Sequence, residues 1–129
     1  MTATTESQMK ARTKAFALRT LTLINARPDR RSSRIVASQL GRPGTSVGAN
    51  DRAVCRAKSL ADMVNKLTIL EEEADESAFG LEIAVEHGRL PGAKAADLHR
   101  EAGELTAIMV ASRKILLPEN RKSKIENRK

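Results

Sequence analysis

Arginines are the side chains of this sequence whose type and spacing suit a recognisable chemistry. A guanidinium stays charged and donates paired hydrogen bonds, a geometry that fits phosphate and carboxylate groups. Drawn on one helix, five arginines fall within an arc of roughly 80°. These five residues, here called the arginine stripe, are Arg31, Arg34, Arg42, Arg52 and Arg56. The sequence therefore predicts a contact with the phosphates of RNA or DNA.

The aromatic content limits how such a contact could work. Phe16 and Phe79 are the two aromatic residues, and the chain has no Trp or Tyr. Nucleic-acid bases would have few rings to stack on, so recognition would rest on backbone charge and shape. We expect the affinity to fall steeply with salt concentration, as it does for contacts made mainly to phosphates.

The uneven charge of the chain offers the arginines a second use. Residues 1–58 carry +9, residues 59–117 carry −5 and residues 118–129 carry +3, which gives the net +7. The arginine stripe could pair with carboxylates of the acidic part, within one chain or between copies. The candidates are Glu72, Asp75 and Glu76. The alternative function is therefore a protein-binding scaffold or assembly module with no nucleic-acid binding.

The reactive side chains do not form an arrangement typical of an enzyme. Cys55 is the single cysteine and is predicted to lie on a helix flank, where a packed thiol is more common than a nucleophile. His87 and His99 lack the spacing of a metal-binding pair. The carboxylates at residues 71–76 lack the Glu-x-x-His pairs of di-iron bundles. We expect a non-enzymatic protein with no catalytic residue, no metal and no cofactor.

Three glycines share one side of the second predicted helix. Gly41, Gly44 and Gly48 are spaced i, i+3 and i+7, and each destabilises a helix by roughly 1 kcal/mol relative to alanine. Close approach of another backbone would offset that cost. A phosphate-binding loop is the alternative, but Ala49 and Asn50 stand where a P-loop needs Lys and then Ser or Thr. We assign the glycines to close packing and include them in a predicted interface between copies.

The third predicted helix has a second apolar face. Ile69, Phe79 and Ile83 project roughly opposite its main apolar stripe. A bundle core cannot bury both faces, and burial of a large apolar side chain is worth roughly 1.5–3 kcal/mol. These residues predict a contact between copies of the chain, with scattered surface apolar residues as the alternative.

Four segments have the periodicity of helices, and none has that of a strand. They cover residues 8–26, 32–58, 59–88 and 95–117. Pro43 is predicted to kink or break the second, Ser59 to cap the third, and Pro118 to end the fourth. The predicted apolar faces are, in chain order, Phe16, Ala17, Leu21 and Ile24; Val36, Leu40, Val47 and Val54; Leu60, Met63, Val64, Leu67, Leu70, Ala74, Ala78, Leu81 and Val85; and Leu98, Ala102, Leu105, Met109, Ser112 and Leu116.

These segments predict an all-α fold, an antiparallel up-down-up-down four-helix bundle. With 129 residues, one domain is expected over residues 1–117, followed by a disordered basic tail at 118–129. No apolar run approaches the roughly 20 residues that span a bilayer, and the start of the chain lacks an apolar signal segment. The single cysteine cannot form an internal disulfide. We expect a cytoplasmic protein that does not associate with membranes.

Several short motifs resemble a known bacterial family. They are SVGAN at residues 46–50, RAKS at 56–59 and EEADES at 72–77. These motifs resemble the 23S rRNA intervening sequence protein family, a family of four-helix bundles, over about residues 14–117. The resemblance implies a cytosolic homopentamer without catalytic activity. It also implies an architecture similar to the accessory variability determinant of diversity-generating retroelements, a basic pentamer that binds nucleic acid and a reverse transcriptase.

Overall fold

The computed structural model describes residues 5–25, 31–87 and 92–116, with the backbone alone for residues 31–33. These ranges contain four helices and no strand: α1 (Glu6–Asn25), α2 (Arg31–Val54), α3 (Leu60–Glu86) and α4 (Gly92–Leu116). The predicted all-α class is confirmed. None of the described helices combines the length and apolar character that crossing a membrane requires. The predicted tail at 118–129 lies outside the described residues.

The helices pack side by side in chain order. α2 contacts α1 and α3, α3 also contacts α4, and a smaller contact joins α4 to α1. Within the described ranges, the backbones of the diagonal pairs, α1 with α3 and α2 with α4, do not come within 8 Å of each other, measured between Cα atoms. The core therefore runs down the middle of a ring of helices. Its most deeply buried large apolar side chains are Phe16, Leu40, Val47, Leu70, Leu81, Leu98 and Leu105.

Two helix boundaries differ from the sequence prediction by three residues or more. α2 ends at Val54 rather than near residue 58. The chain tightens there into i to i+3 hydrogen bonds, with Arg56 N donating to Ala53 O and Ala57 N to Val54 O, both at 3.1 Å. α4 begins at Gly92, three residues before the predicted start. The predicted break at Pro43 is absent, because α2 continues through this buried residue.

The start of α3 confirms the predicted cap. Ser59 has extended backbone angles, and its hydroxyl accepts a hydrogen bond from Asp62 N at 3.0 Å. The Asp62 carboxylate accepts in turn from Lys58 N at 3.0 Å and from Lys66 Nζ at 2.9 Å. These hydrogen bonds, that from Lys58 N above all, lower the pKa of Asp62. At the other end α3 stops at Glu86, and the predicted stop residue Gly88 is outside the described ranges.

The predicted apolar faces are mostly buried, with corrections at Leu21, Leu60 and Val85. Leu60 and Val85 are exposed because they lie at the two ends of α3, beyond its buried stretch from Leu67 to Ala84. Leu21 is exposed because the buried face of α1 is rotated away from it. That face consists of Met9, Thr13, Phe16, Thr20, Leu23 and Ile24.

The glycines of α2 lie against α1 of the same chain. A Cβ atom on Gly44 would stand 2.7 Å from Thr20 Cγ2, closer than real contacts allow, and one on Gly48 would stand 3.5 Å from the backbone oxygen of Thr13. A Cβ on Gly41 would also touch a side chain of α1. Close helix packing is confirmed. The packing that these glycines allow lies within one chain, and their part in an interface between copies stays a prediction.

Candidate nucleic-acid interface

The described part of the arginine stripe lies on the outside of the molecule. Arg34, Arg42 and Arg52 are exposed on α2, opposite a buried side that contains Leu40 and Val47. A helix turns about 100° per residue, so a 3.6-residue period separates the two sides cleanly. The fold therefore directs these guanidinium groups toward solvent.

Two members of the arginine stripe differ from the predicted arrangement. Arg56 is exposed, but it follows the end of α2 and lies in the turn before α3. The prediction that a single helix carries all five arginines is therefore corrected. Arg31 is the first residue of α2, and its side chain is outside the described part of the structure.

Ion pairing distinguishes Arg42 and Arg52 from the cations between helices. Arg12 of α1 forms a paired contact with Glu101 of α4, and Arg113 of α4 lies 2.7 Å from Glu71 of α3. In contrast, the described residues place no carboxylate within 4 Å of Arg42 or Arg52. The guanidinium groups of Arg42 and Arg52 thus keep their hydrogen-bonding capacity for another molecule.

Although it is exposed, Arg42 also lies close to the acidic face of α3. It lines a groove between α2 and α3 together with Glu76. Burial raises the pKa of the Glu73 carboxyl, Glu76 adds to this effect, and the charge of Arg42 opposes it. Glu72, Glu76 and the third predicted partner, Asp75, are exposed. Arg42 therefore acts on the acidic face electrostatically without forming an ion pair.

The predicted second face of α3 is exposed in the single chain. Phe79 is 62% exposed, Ile83 40% and Ile69 36%. Phe79 and Ile83 border the groove that also contains Arg42 and Glu76, a space of about 350 Å³. An apolar face with a charged edge is thus present beside the arginine stripe, and a single chain leaves it uncovered.

The other reactive residues of the sequence are His87, which contributes its backbone to a helix end, His99, which contacts a carboxylate, and the half-buried Cys55. His87 caps the end of α3, its backbone N–H donating to Ile83 O at 2.9 Å. His99 Nε2 lies 3.1 Å from Glu82 Oε1 and links α4 to α3. Burial raises the pKa of the half-buried Cys55 thiol. In the described ranges, no group of three or more His, Cys, Asp or Glu residues could hold a metal ion.

Sequence reasoning passed over Asp51, which is 4% exposed. A signal was available, because Asp51 stands four residues after Val47 and three before Val54 and so continues the apolar stripe of α2. Burial raises the pKa of its carboxyl, although a hydrogen bond from Thr13 opposes the shift. A carboxylate on the inner side of a bundle is unusual and singles out this position.

Comparison with known proteins shows a likeness to a solved structure. No protein-family model and no curated protein matches the chain. The chain is similar to a crystal structure from Bacteroides thetaiotaomicron, a protein with unknown function from the S23 ribosomal protein family. The two are 27% identical with a TM-score of 0.78, over 84% of this chain and 97% of that chain. The likeness supports the fold and carries no activity with it.

Proposed function

We propose that this protein is a non-enzymatic, homo-oligomeric four-helix bundle that binds RNA or DNA through phosphate groups. The observation that carries the proposal is the exposure of Arg42 and Arg52 on the outer side of α2 without an ion-pair partner among the described residues. Guanidinium groups of this kind bind phosphates in pairs of hydrogen bonds. The exposed Arg56 and the net charge of +7 favour polyanions as partners.

We further infer an antiparallel up-down-up-down arrangement of the helices. Contacts between neighbouring helices join Thr13 with Asp51, Thr20 with Gly44, Glu71 with Arg113, and Glu82 with His99. In each helix pair, a later residue of one helix meets an earlier residue of the other, which is the order of antiparallel neighbours. Short connections between successive helices favour the same arrangement. The pentameric state and membership of the 23S rRNA intervening sequence protein family are proposed on the motif resemblance.

A scaffold function is the second candidate. It is favoured by the groove in which Arg42 and Glu76 stand beside the exposed Phe79 and Ile83. Apolar side chains with a charged rim are typical of protein interfaces. In this case the guanidinium groups would pair with carboxylates of another copy, and nucleic acid would find no site.

One double variant separates the two functions. Arg42→Glu combined with Arg52→Glu reverses two charges of the arginine stripe. Labelled structured RNA and duplex DNA are titrated with each protein over a salt series, and the mass of the assembly is measured in parallel. Phosphate binding predicts that the variant loses binding near physiological salt while its assembly mass stays the same. For the unmodified protein, the logarithm of the binding constant should fall linearly with the logarithm of salt concentration.

The matched control reverses two exposed cations elsewhere, Arg100→Glu with Lys114→Glu on α4. It changes the net charge by the same amount, so it separates a local site from bulk attraction. Equal loss of binding in both variants would contradict a site on α2. An unmodified protein without binding near physiological salt would overturn the proposal, and a loss of assembly in the α2 variant alone would support the scaffold.

A further inference from the structure

An open cavity lies at the end of the molecule where α1 and α3 begin and α2 and α4 end. It measures about 330 Å³. Three of the four methionines of the chain line it, namely Met9, Met63 and Met109. Leu67 and Ile108 add further apolar surface. Methionine side chains are flexible and polarisable, so walls of this composition adapt to ligands of different shapes.

Asp51 gives this apolar cavity a buried carboxylate. The residue lines the cavity and is 4% exposed. Thr13 Oγ1 lies 3.4 Å from Asp51 Oδ2, but the same hydroxyl lies only 2.9 Å from Met9 O, to which it donates. A hydroxyl has one proton, so the bond to the carboxylate is long and shared.

Among the described residues, the carboxylate also has no counter-charge in direct contact. The described residues place no cation within 4 Å of Asp51. Lys10 acts on it at longer range and favours ionisation, whereas burial and the charge of Glu6 disfavour it. In addition, Asp51 lies three residues before the end of α2, where the helix dipole disfavours negative charge. An ionised carboxyl in this place is expensive unless a cation accompanies it.

We propose that this cavity binds an organic cation that consists of an ammonium group and an apolar body. The ammonium group pairs with Asp51, and the apolar body packs against the methionines. The ammonium group would supply a counter-charge and strong hydrogen-bond donors, which the described residues do not place beside this carboxylate. The apolar body would cover the side chains of Met9, Met63 and Met109, and an aromatic ring would gain sulfur–aromatic contacts. Selection is local, because a protein of net charge +7 repels cations in general.

Benzylammonium is a suitable probe, with benzyl alcohol as the neutral molecule of the same shape. Calorimetric titration of the full chain should show that benzylammonium binds about tenfold more tightly than benzyl alcohol. The reason is that a charge-assisted hydrogen bond to the carboxylate is stronger than one donated by a neutral hydroxyl. With methyl-labelled methionine, the NMR signals of Met9, Met63 and Met109 should shift on titration. Similar affinities for the two molecules, or no shift of these signals, would overturn the proposal.

The variant Asp51→Asn keeps the size of the side chain and removes its charge. It should abolish the preference for benzylammonium and leave the weak binding of benzyl alcohol unchanged. Asp97→Asn, at an exposed aspartate of α4, is the matched control and should retain the preference. If Asp51→Asn retained it as well, the cation would bind elsewhere and the assignment to Asp51 would be wrong. The comparison of the two probes on the unmodified chain does not depend on any variant.

Discussion

At the scale of single residues, Asp51 stands out because an ionisable side chain occupies a buried position. Its carboxyl is buried near the carboxyl end of α2, and burial is the main reason its pKa is raised. A carboxyl whose pKa is higher in the folded chain than in the unfolded chain destabilises the fold once it ionises. Natural chains tolerate such positions where a site needs them.

Replacing this carboxyl by an amide should therefore stabilise the free protein at neutral pH. We expect Asp51→Asn to raise the free energy of unfolding at pH 7 by on the order of 1 kcal/mol. The gain should shrink as pH falls through the folded pKa and vanish below the unfolded pKa of about 4, where Asp51 is protonated in both states. Denaturant unfolding followed by circular dichroism at pH 7 and in the acidic range measures both values. A gain that is equal at both pH values would contradict the assigned cause.

The sequence predicts the burial of Asp51 but not the charges around it. The apolar period of α2 places Asp51 on the same side as Val47 and Val54, so its burial was predictable. That no described cation lies in contact with it was not predictable, because this depends on which side chains of α1, α3 and α4 reach that end of the molecule. Residue type and period predict where a side chain points, whereas its partners depend on packing between distant segments.

At the scale of helices, the contact between α1 and α2 depends on small side chains. Thr13 and Thr20 are buried, and their hydroxyls donate to the carbonyls of Met9 and Phe16 at 2.9 and 2.8 Å. Because the Thr20 hydroxyl is satisfied within α1, the Thr20 methyl group can face Gly44 of α2, while Gly48 packs against the backbone of α1 at Thr13. The sequence prediction counted only apolar residue types, so it missed both threonines and rotated the buried face of α1 toward Leu21.

Two alanine variants test this packing, because we expect them to change the free energy of unfolding in opposite directions. Gly44→Ala would place a Cβ 2.7 Å from Thr20 Cγ2, and forced displacement should lower the free energy of unfolding by about 1–3 kcal/mol. Gly103→Ala, in α4 with nothing within 4 Å of the new Cβ, should raise it by up to about 1 kcal/mol. Thermal unfolding by circular dichroism gives both signs. If Gly44→Ala were also stabilising, close approach would not be the reason for glycine there.

At the scale of the whole molecule, the charged and the apolar surfaces lie on different helices. Ion pairs such as those of Arg12 and Arg113 join neighbouring helices, while Arg42 and Arg52 on the outer side of α2 lack such partners among the described residues. The exposed side of α3 carries Phe79 and Ile83. The helical period was enough to predict that Arg42 and Arg52 of α2, and Phe79 and Ile83 of α3, are exposed, because each pair depends on one helix. What covers them depends on a second molecule, which no single-chain pattern contains.

The apolar side of α3 makes the assembly itself testable. Phe79→Glu places a charge in the most exposed part of that side, and a desolvated charge in an interface disfavours association. We expect multi-angle light scattering with refractive-index detection to show the mass falling toward that of a 14.1 kDa single chain, with helix content unchanged. Leu18→Glu, at a similarly exposed leucine of α1, makes the same charge change away from the predicted contact and should leave the mass unaltered. A single-chain mass for the unmodified protein, or equal disruption by both variants, would show that this side of α3 does not hold copies together.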